Sequence, residues 1–232
     1  TGKSGLRNAM IFDDNASAGI KGNFEYKPAV EAKYKRFFSR EHISKYSSKI
    51  ASICNCIYPE ATGELSKGII LIYSQYIDSG LIPIALALEE MGFTRYGKDS
   101  KSLFKTPPPN PTINSRAKGM KQPLKYVMIT GDKKLSKNND GDVKAVTDEN
   151  NKNGEKIKVV LISTAGSEGI DLKYIRQVHI LDPWYNMNRI EQIIGRGVRN
   201  FSHKGLPFTE HNVEIFLYAT LLTIKKEEES KE

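Results

Sequence analysis

The chain has 232 residues, 39% hydrophobic and 27% charged, with a formal net charge of +8. That length can bury a substantial core in one large domain or two small ones, and the composition fits a soluble globular protein. No apolar run approaches the roughly 18 residues a membrane span needs, so no membrane partner is expected. Two cysteines one residue apart, Cys54 and Cys56, with four scattered histidines, exclude a zinc site by ligand spacing.

Residues 1–30 carry scattered Gly, Asn and Ser without a sustained period and read as irregular. The opening TGKS lacks the upstream glycine and buried strand that a phosphate-binding loop requires, so it is not the nucleotide site. The N-terminal residues carry no apolar stretch of the signal-peptide kind, and an intracellular setting is expected. From Ala29 to Ile57 the pattern turns helical, with Ile43, Tyr46, Ile50, Ile53 and Ile57 at three- and four-residue steps. KGIILIY (67–73) reads as a fully buried strand. Asp78 or Ser79 is the expected cap of the next helix, IPIALALEEMGF, which ends near Gly92.

Residues 94–125 have no period and contain KTPPPNPT, which excludes helix and central strand there. Eight basic residues face one acid in this segment, the footprint of a polyanion-binding surface or of a solvated loop. Further strands are expected at KYVMITGD (125–132), KVVLIS (158–163), QVHILD (177–182) and NVEIFLYAT (212–220), with a helix around 141–149 and a charged tail from 225. Buried strands alternating with helices predict an α/β fold, a mostly parallel central sheet with helices on both faces. Ligands gather at the carboxyl ends of such strands, where SQ, GD, TAGSEGID and DPWYN follow.

The segment RIEQIIGRGVR (189–199) carries the most information. On a helix, Arg189, Arg196, Gln192 and Arg199 fall within an arc of about 80°. Ile190, Ile194 and Val198 occupy another arc, and Glu191 lies opposite the cations. Gly195 and Gly197 each cost about 1 kcal/mol of helix propensity, a cost that close approach to a neighbour or a phosphate would offset. Aligned arginines with no acid among them suit an external anion, and a triphosphate matches their planar forks.

Gln192, Gly195, Arg196 and Arg199, as Q-x-x-G-R-x-x-R, resemble the final signature of superfamily 2 helicases. STAGSEGID (163–171), GIILIYSQ (68–75) and TGD (130–132) resemble other elements of the second, RecA-like lobe in order and spacing. The longer stretches IYSQYIDSGLIPIALALEEMGF and HILDPWYNMNRIEQIIGRGVRN are similar to helicase-type ATPases of large nucleocytoplasmic DNA viruses, related to poxviral early transcription factor. The resemblance implies a C-terminal RecA-like domain over 67–224, with the basic insert at 94–125 and an N-terminal extension over 1–66 linking the lobes.

For single residues it implies that Arg199 is the arginine finger, Arg196 its companion on the terminal phosphate and Gln192 a bridge toward the phosphates. Gly169 and Asp171 would approach the nucleotide near the ribose. Gln75, Thr130, Gly131, Ser163 and Thr164 would meet a DNA or RNA sugar-phosphate backbone without reading sequence. Ser163 and Thr164 equally suit a strand-ending turn. The 163–171 segment is one residue shorter than in many relatives, so residues 165–168 receive no role.

ATP and Mg2+ are the implied cofactors, held mainly by an N-terminal RecA-like lobe whose phosphate loop and acid pair this sequence does not contain. The chain alone is therefore expected to be inactive. Viral transcription machinery is an implied partner, and host cytoplasm or virion the implied location. Two other readings stand beside this one: a non-catalytic nucleic-acid-binding module on a degenerate lobe, and a scaffold whose proline-rich 105–112 segment docks a partner.

Overall fold

Two opposite faces of one parallel sheet organise this chain, and the strands show why. The computed structural model describes residues 2–15, 19–97, 101–113, 123–133, 135–167 and 169–220. Its main sheet contains β3 (Ile69–Tyr73), β4 (Thr94–Arg95), β5 (Lys125–Ile129), β6 (Val159–Ile162), β7 (Ile175–Ile180) and β8 (Glu214–Leu217), in the spatial order β4-β5-β6-β3-β7-β8. Every pairing in it is parallel, with Ile70 opposite Val159 and Tyr73 opposite Ile162 at the centre. The predicted α/β class with a mostly parallel sheet is the observed one.

Successive strand side chains point to opposite faces, so the run IILIY is divided between two cores. Ile70 and Ile72 join Val159, Leu161, Tyr126 and Met128 on one face. Ile69, Leu71 and Tyr73 join Val160, Ile162, Val127 and Ile129 on the other. The first face is covered by α4 (Ile82–Met91) and by the N-terminal elements α1 (Gly2–Ala9) and α3 (Ser48–Ile57), whereas α2 (Pro28–Tyr34) buries no residue. The second is covered by α5 (Asn139–Thr147) and α6 (Met187–Gly197).

The N-terminal third departs from the sequence expectation. The described residues among 1–30 are not irregular: α1 leads into an antiparallel hairpin of β1 (Met10–Asn15) and β2 (Gly19–Tyr26). Register shifts between Ile11 and Asp14 break the two-residue alternation that would have revealed the hairpin. Met10, Phe24 and Tyr26 are buried in the first core, so tertiary packing holds it in place. The expected helical stretch 29–57 is interrupted. Ser47 takes an extended conformation and its hydroxyl accepts from Ile50 N, capping α3, while Tyr46 is left 49% exposed. The cap expected at Asp78 or Ser79 is not formed either. A π-helical turn, Ile77–Leu81, runs directly into α4, which ends at left-handed Gly92.

The insert is partly ordered by a buried carboxylate. Glu89 of α4, 2% exposed, accepts from Leu103 N (2.8 Å), Phe104 N (3.0 Å), Ser102 Oγ (2.5 Å) and Tyr126 Oη (2.7 Å). Residues 102–104 are thereby fixed against α4 and β5, and Phe104 bridges to Phe24 of the hairpin. Lys98, Arg116, Lys118 and Lys121 of the basic stripe, and the tail from 225, lie outside the described residues. No described helix is long and apolar enough to cross a membrane.

Candidate functional site

Four neighbouring strands hand the chain to the expected loops along one rim. In sheet order, β5 leads to Thr130 and Gly131, β6 to Ser163 and Thr164, β3 to Ser74 and Gln75, and β7 to Leu181 and Asp182. The ladder extends into the rim: Ser163 N donates to Ile129 O (3.2 Å), Ser74 N to Ile162 O (3.2 Å) and Leu181 N to Tyr73 O (2.9 Å).

The rim residues differ in what they leave available. Thr130 is 1% exposed, and its hydroxyl lies 3.3 Å from both Ser136 Oγ and Asp132 O. Ser163 is 3% exposed and accepts from Gly166 N at 3.2 Å, closing the turn that starts the next loop. The hydroxyls of both residues are engaged within their own turns, the role that suits Ser and Thr at strand ends. Thr164 Oγ1 lies 2.8 Å from Tyr73 Oη and accepts from Arg189 Nη2 at 3.0 Å. Gln75 is held by its backbone, since Gln75 N donates to Asp182 Oδ2 (3.1 Å), which also accepts from Ser74 Oγ (2.6 Å). Gly131 is exposed.

Two residues here escaped the sequence reading. Arg189 was placed on the cationic face without a role; it joins α6 to the rim through Thr164 and lies 5.4 Å from the Trp184 ring. Asp182 positions the Gln75 loop, and its only sequence signal is an acid at the end of an apolar strand.

A second group of residues lies at the other end of α6. Eleven helical residues separate the ends by roughly 16 Å. The helix starts at an Asn186 cap, whose side chain accepts from Asn188 N, and ends at Gly197, with Val198 already non-helical (φ −121°, ψ 85°). Arg199 therefore lies beyond the helix on which the sequence reading placed it. The buried arc is also shifted: Ile190, Ile193 and Gly197 are buried, whereas Val198 is 43% exposed. The two glycines have different reasons. A Cβ on Gly197 would stand 3.2 Å from Ile175 Cγ2 and 3.3 Å from Val178 Cγ2, so this glycine lets the helix approach β7. A Cβ on Gly195 would meet nothing within 4 Å.

Arg199 bends back, its Nε donating to Gly195 O (3.1 Å), and its Nη1 stands 3.4 Å from Asp171 Oδ1. Arg196 binds the Asp171 loop to the helix: its Nη1 donates to Ile170 O (3.4 Å), and Leu172 N donates to Arg196 O (3.3 Å). Gly169 enters the loop at φ +69°, a left-handed conformation that suits glycine. Gln192 is exposed on α6, one turn before Arg196. Arg199 and Asp171 share an open cleft of about 530 Å3 with Lys173, Tyr174, Phe201 and Lys204. The sequence-predicted residues thus form two groups: Gln75, Thr130, Gly131, Ser163 and Thr164 on the rim, and Gly169, Asp171, Arg196 and Arg199 at the far end of α6. Among the described residues, no group of three or more His, Cys, Asp or Glu is placed to hold a metal ion.

A family model described as the helicase conserved C-terminal domain matches residues 111–201. A termination factor NPH-I homolog of African swine fever virus is 32% identical over 225 residues, covering 89% of this chain and 30% of that protein. A putative ATP-dependent RNA helicase of Acanthamoeba polyphaga mimivirus is 47% identical over 74 residues, 32% of this chain and 9% of that protein. The chain spans less than a third of the length of either relative. Among solved structures, the C-terminal part of the Fun30 ATPase domain is 17% identical, covering 76% of this chain and 45% of that one, with a TM-score of 0.36.

Proposed function

Because this chain carries a helicase C-terminal domain homologous to those of viral helicase-type proteins, we propose that it is the second RecA-like lobe of a superfamily 2 ATP-dependent helicase or translocase. In this reading it supplies the arginine finger, Arg199, and part of the nucleic acid path. The observation that carries the proposal is the division of α6. One end carries Arg199 and Arg196 beside Asp171, and the other is tied through Arg189 and Thr164 to a rim of strand-terminal loops. A helix joining an anion-binding group to a backbone-binding rim is a rigid coupling element between nucleotide and nucleic acid.

Closure against a first lobe brings Arg199 onto the terminal phosphate, where the guanidinium exchanges its exposed ion pair with Asp171 for the charge of the transition state. Water attacks the γ-phosphorus, ADP leaves, and reopening releases the products. Arg196 keeps the Asp171 loop in place and adds a second cation; Gln192 bridges toward the phosphates. Mg2+ would be held by the first lobe, while this lobe offers Arg199, Lys173 and Lys204 to phosphate and keeps the Asp171 carboxylate paired with Arg199. On the rim, Gln75, Gly131 and the exposed backbone meet the sugar-phosphate chain, with Thr130, Ser163 and Thr164 shaping the turns. The names of the viral relatives favour a transcription-linked role, with the viral transcription machinery as partner in the host cytoplasm or virion.

The test is ATP hydrolysis by the two-lobed protein with and without nucleic acid, comparing wild type with Arg199→Ala. A loss of about 10³-fold or more in kcat, with ATP binding largely kept, is expected. Equal rates would refute the finger and leave a nucleic-acid-binding module on a degenerate lobe. The single chain is expected to hydrolyse almost no ATP.

A further inference from the structure

We propose that Phe201 is the stacking platform for the base of the nucleotide whose phosphates meet Arg199, an inference that rests on the nucleotide reading above. Phe201 is 85% exposed and holds a left-handed backbone conformation, φ +62°. A bulky residue adopts that conformation only where its surroundings impose it. Here they do. The neighbouring Ser202 and His203 are 5% and 8% exposed and bind the turn to the body of the lobe. Tyr174 N donates to Ser202 O (3.1 Å), and His203 Nε2 lies 2.7 Å from Ile175 O. Within the turn, Ser202 N donates to Arg199 O and Lys204 N to Phe201 O, each at 3.1 Å. The ring is therefore held outward by a fixed turn, two residues from the proposed finger.

Its place in the cleft specifies the ligand chemistry. Phe201 lines the same open cleft of about 530 Å3 as Arg199 and Asp171. A nucleoside triphosphate with phosphate at Arg199 and ribose hydroxyls at the Asp171 carboxylate still has an aromatic base to place. A flat exposed ring beside those two groups accepts any base through its π-face. Phe208 is as exposed, at 88%, but the neighbouring groove it shares with Arg199 and Phe201 does not contain Asp171. Stacking without hydrogen-bond readout also implies weak discrimination among ATP, GTP, CTP and UTP.

The experiment compares kcat and KM of the nucleic-acid-stimulated two-lobed protein for ATP and for ribose 5′-triphosphate, which has no base. Wild type, Phe201→Ala, Phe201→Trp and Arg199→Ala are measured together. Phe201→Ala is expected to raise KM for ATP about tenfold, leave kcat nearly unchanged and leave KM for ribose triphosphate as in wild type, with Phe201→Trp restoring the ATP value. An unchanged KM for ATP overturns the proposal. So does an equal rise for both substrates, which would assign the ring to the contact between lobes. A collapsed kcat in Arg199→Ala beside either result removes the Phe201 inference alone, whereas an unchanged rate in Arg199→Ala removes the nucleotide reading with it.

Discussion

Gly195 and Gly197 stand two residues apart on α6 and do opposite things. Gly197 lies so close to Ile175 and Val178 that a methyl group would push them aside by a few tenths of an ångström, while Gly195 borders open space beside the Arg199 turn. Alanine at either position gains about 1 kcal/mol of helix propensity. At 197 that gain is offset by overpacking, which costs about 1–3 kcal/mol in a filled core. Gly197→Ala is expected to destabilise the chain by about 1 kcal/mol net, read by urea denaturation. Gly195→Ala is expected to stabilise it by up to about 1 kcal/mol. In the two-lobed protein it should also lower ATP turnover by roughly tenfold or more, because the new methyl group displaces the arriving phosphate. A Gly195→Ala protein as active as wild type would remove the phosphate-approach argument. That both glycines cost helix propensity was legible in RIEQIIGRGVR, but that Gly197 alone packs on a neighbour was not, because it depends on which side of the helix meets β7.

Among the elements, α6 and the 94–125 insert differ most in how far sequence anticipated them. The cationic face of α6 and its burial through Ile190 follow from period alone. The end at Gly197 does not, and it moves Arg199 off the helix and the buried arc from Val198 to Ile193. The insert has no period, and its residues 102–104 are held by a residue outside it. Glu89 supplies acceptors to two backbone amides and two hydroxyls on segments 13 to 37 residues away. Glu89→Ala would strand the Leu103 and Phe104 amides and the Tyr126 hydroxyl in the core. Each such group costs about 1–3 kcal/mol, so a loss of about 3 kcal/mol or more in urea denaturation is expected. Proteolytic cleavage within 94–125 should accelerate in step. If the variant is as stable and as protected as wild type, Glu89 does not hold the insert.

At the scale of the whole molecule, the described N-terminal residues and the six-stranded sheet share one core. Leu6, Met10, Phe24, Ile43 and Ile57 pack into the same cluster as Ile70 and Leu161. The described N-terminal residues therefore cover a sheet face and unfold with it. On β7, His179 is fully buried, with Nδ1 2.8 Å from Tyr218 Oη and its ring stacked 4.6 Å from Phe216. Burial lowers its pKa from 6.5 to about 4. Between those values the unfolded chain binds a proton that the folded chain does not, so stability falls as pH drops from 6.5 toward 4. The loss attributable to this group approaches about 3 kcal/mol at the acid end. His179→Gln is expected to flatten the acid limb of a pH series of urea melts; an unchanged slope would place the acid sensitivity elsewhere.

The sequence by itself determined the buried runs of β3, β5, β6 and β7, the edge strand β8, the polar loops that follow the buried strands, and the Q-x-x-G-R-x-x-R pattern. Each is written in neighbouring residues, through side-chain period, glycine placement and charge spacing. Only the tertiary structure decided that the β1–β2 hairpin forms over bulges, that Glu89 holds residues 102–104, that Thr130 and Ser163 use their hydroxyls internally, and that the exposed Phe201 lines the cleft of Arg199. Those outcomes depend on groups far apart in the chain, brought together by the packing of two sheet faces. No local period records which distant amide will find a carboxylate, or which aromatic ring will be left facing solvent.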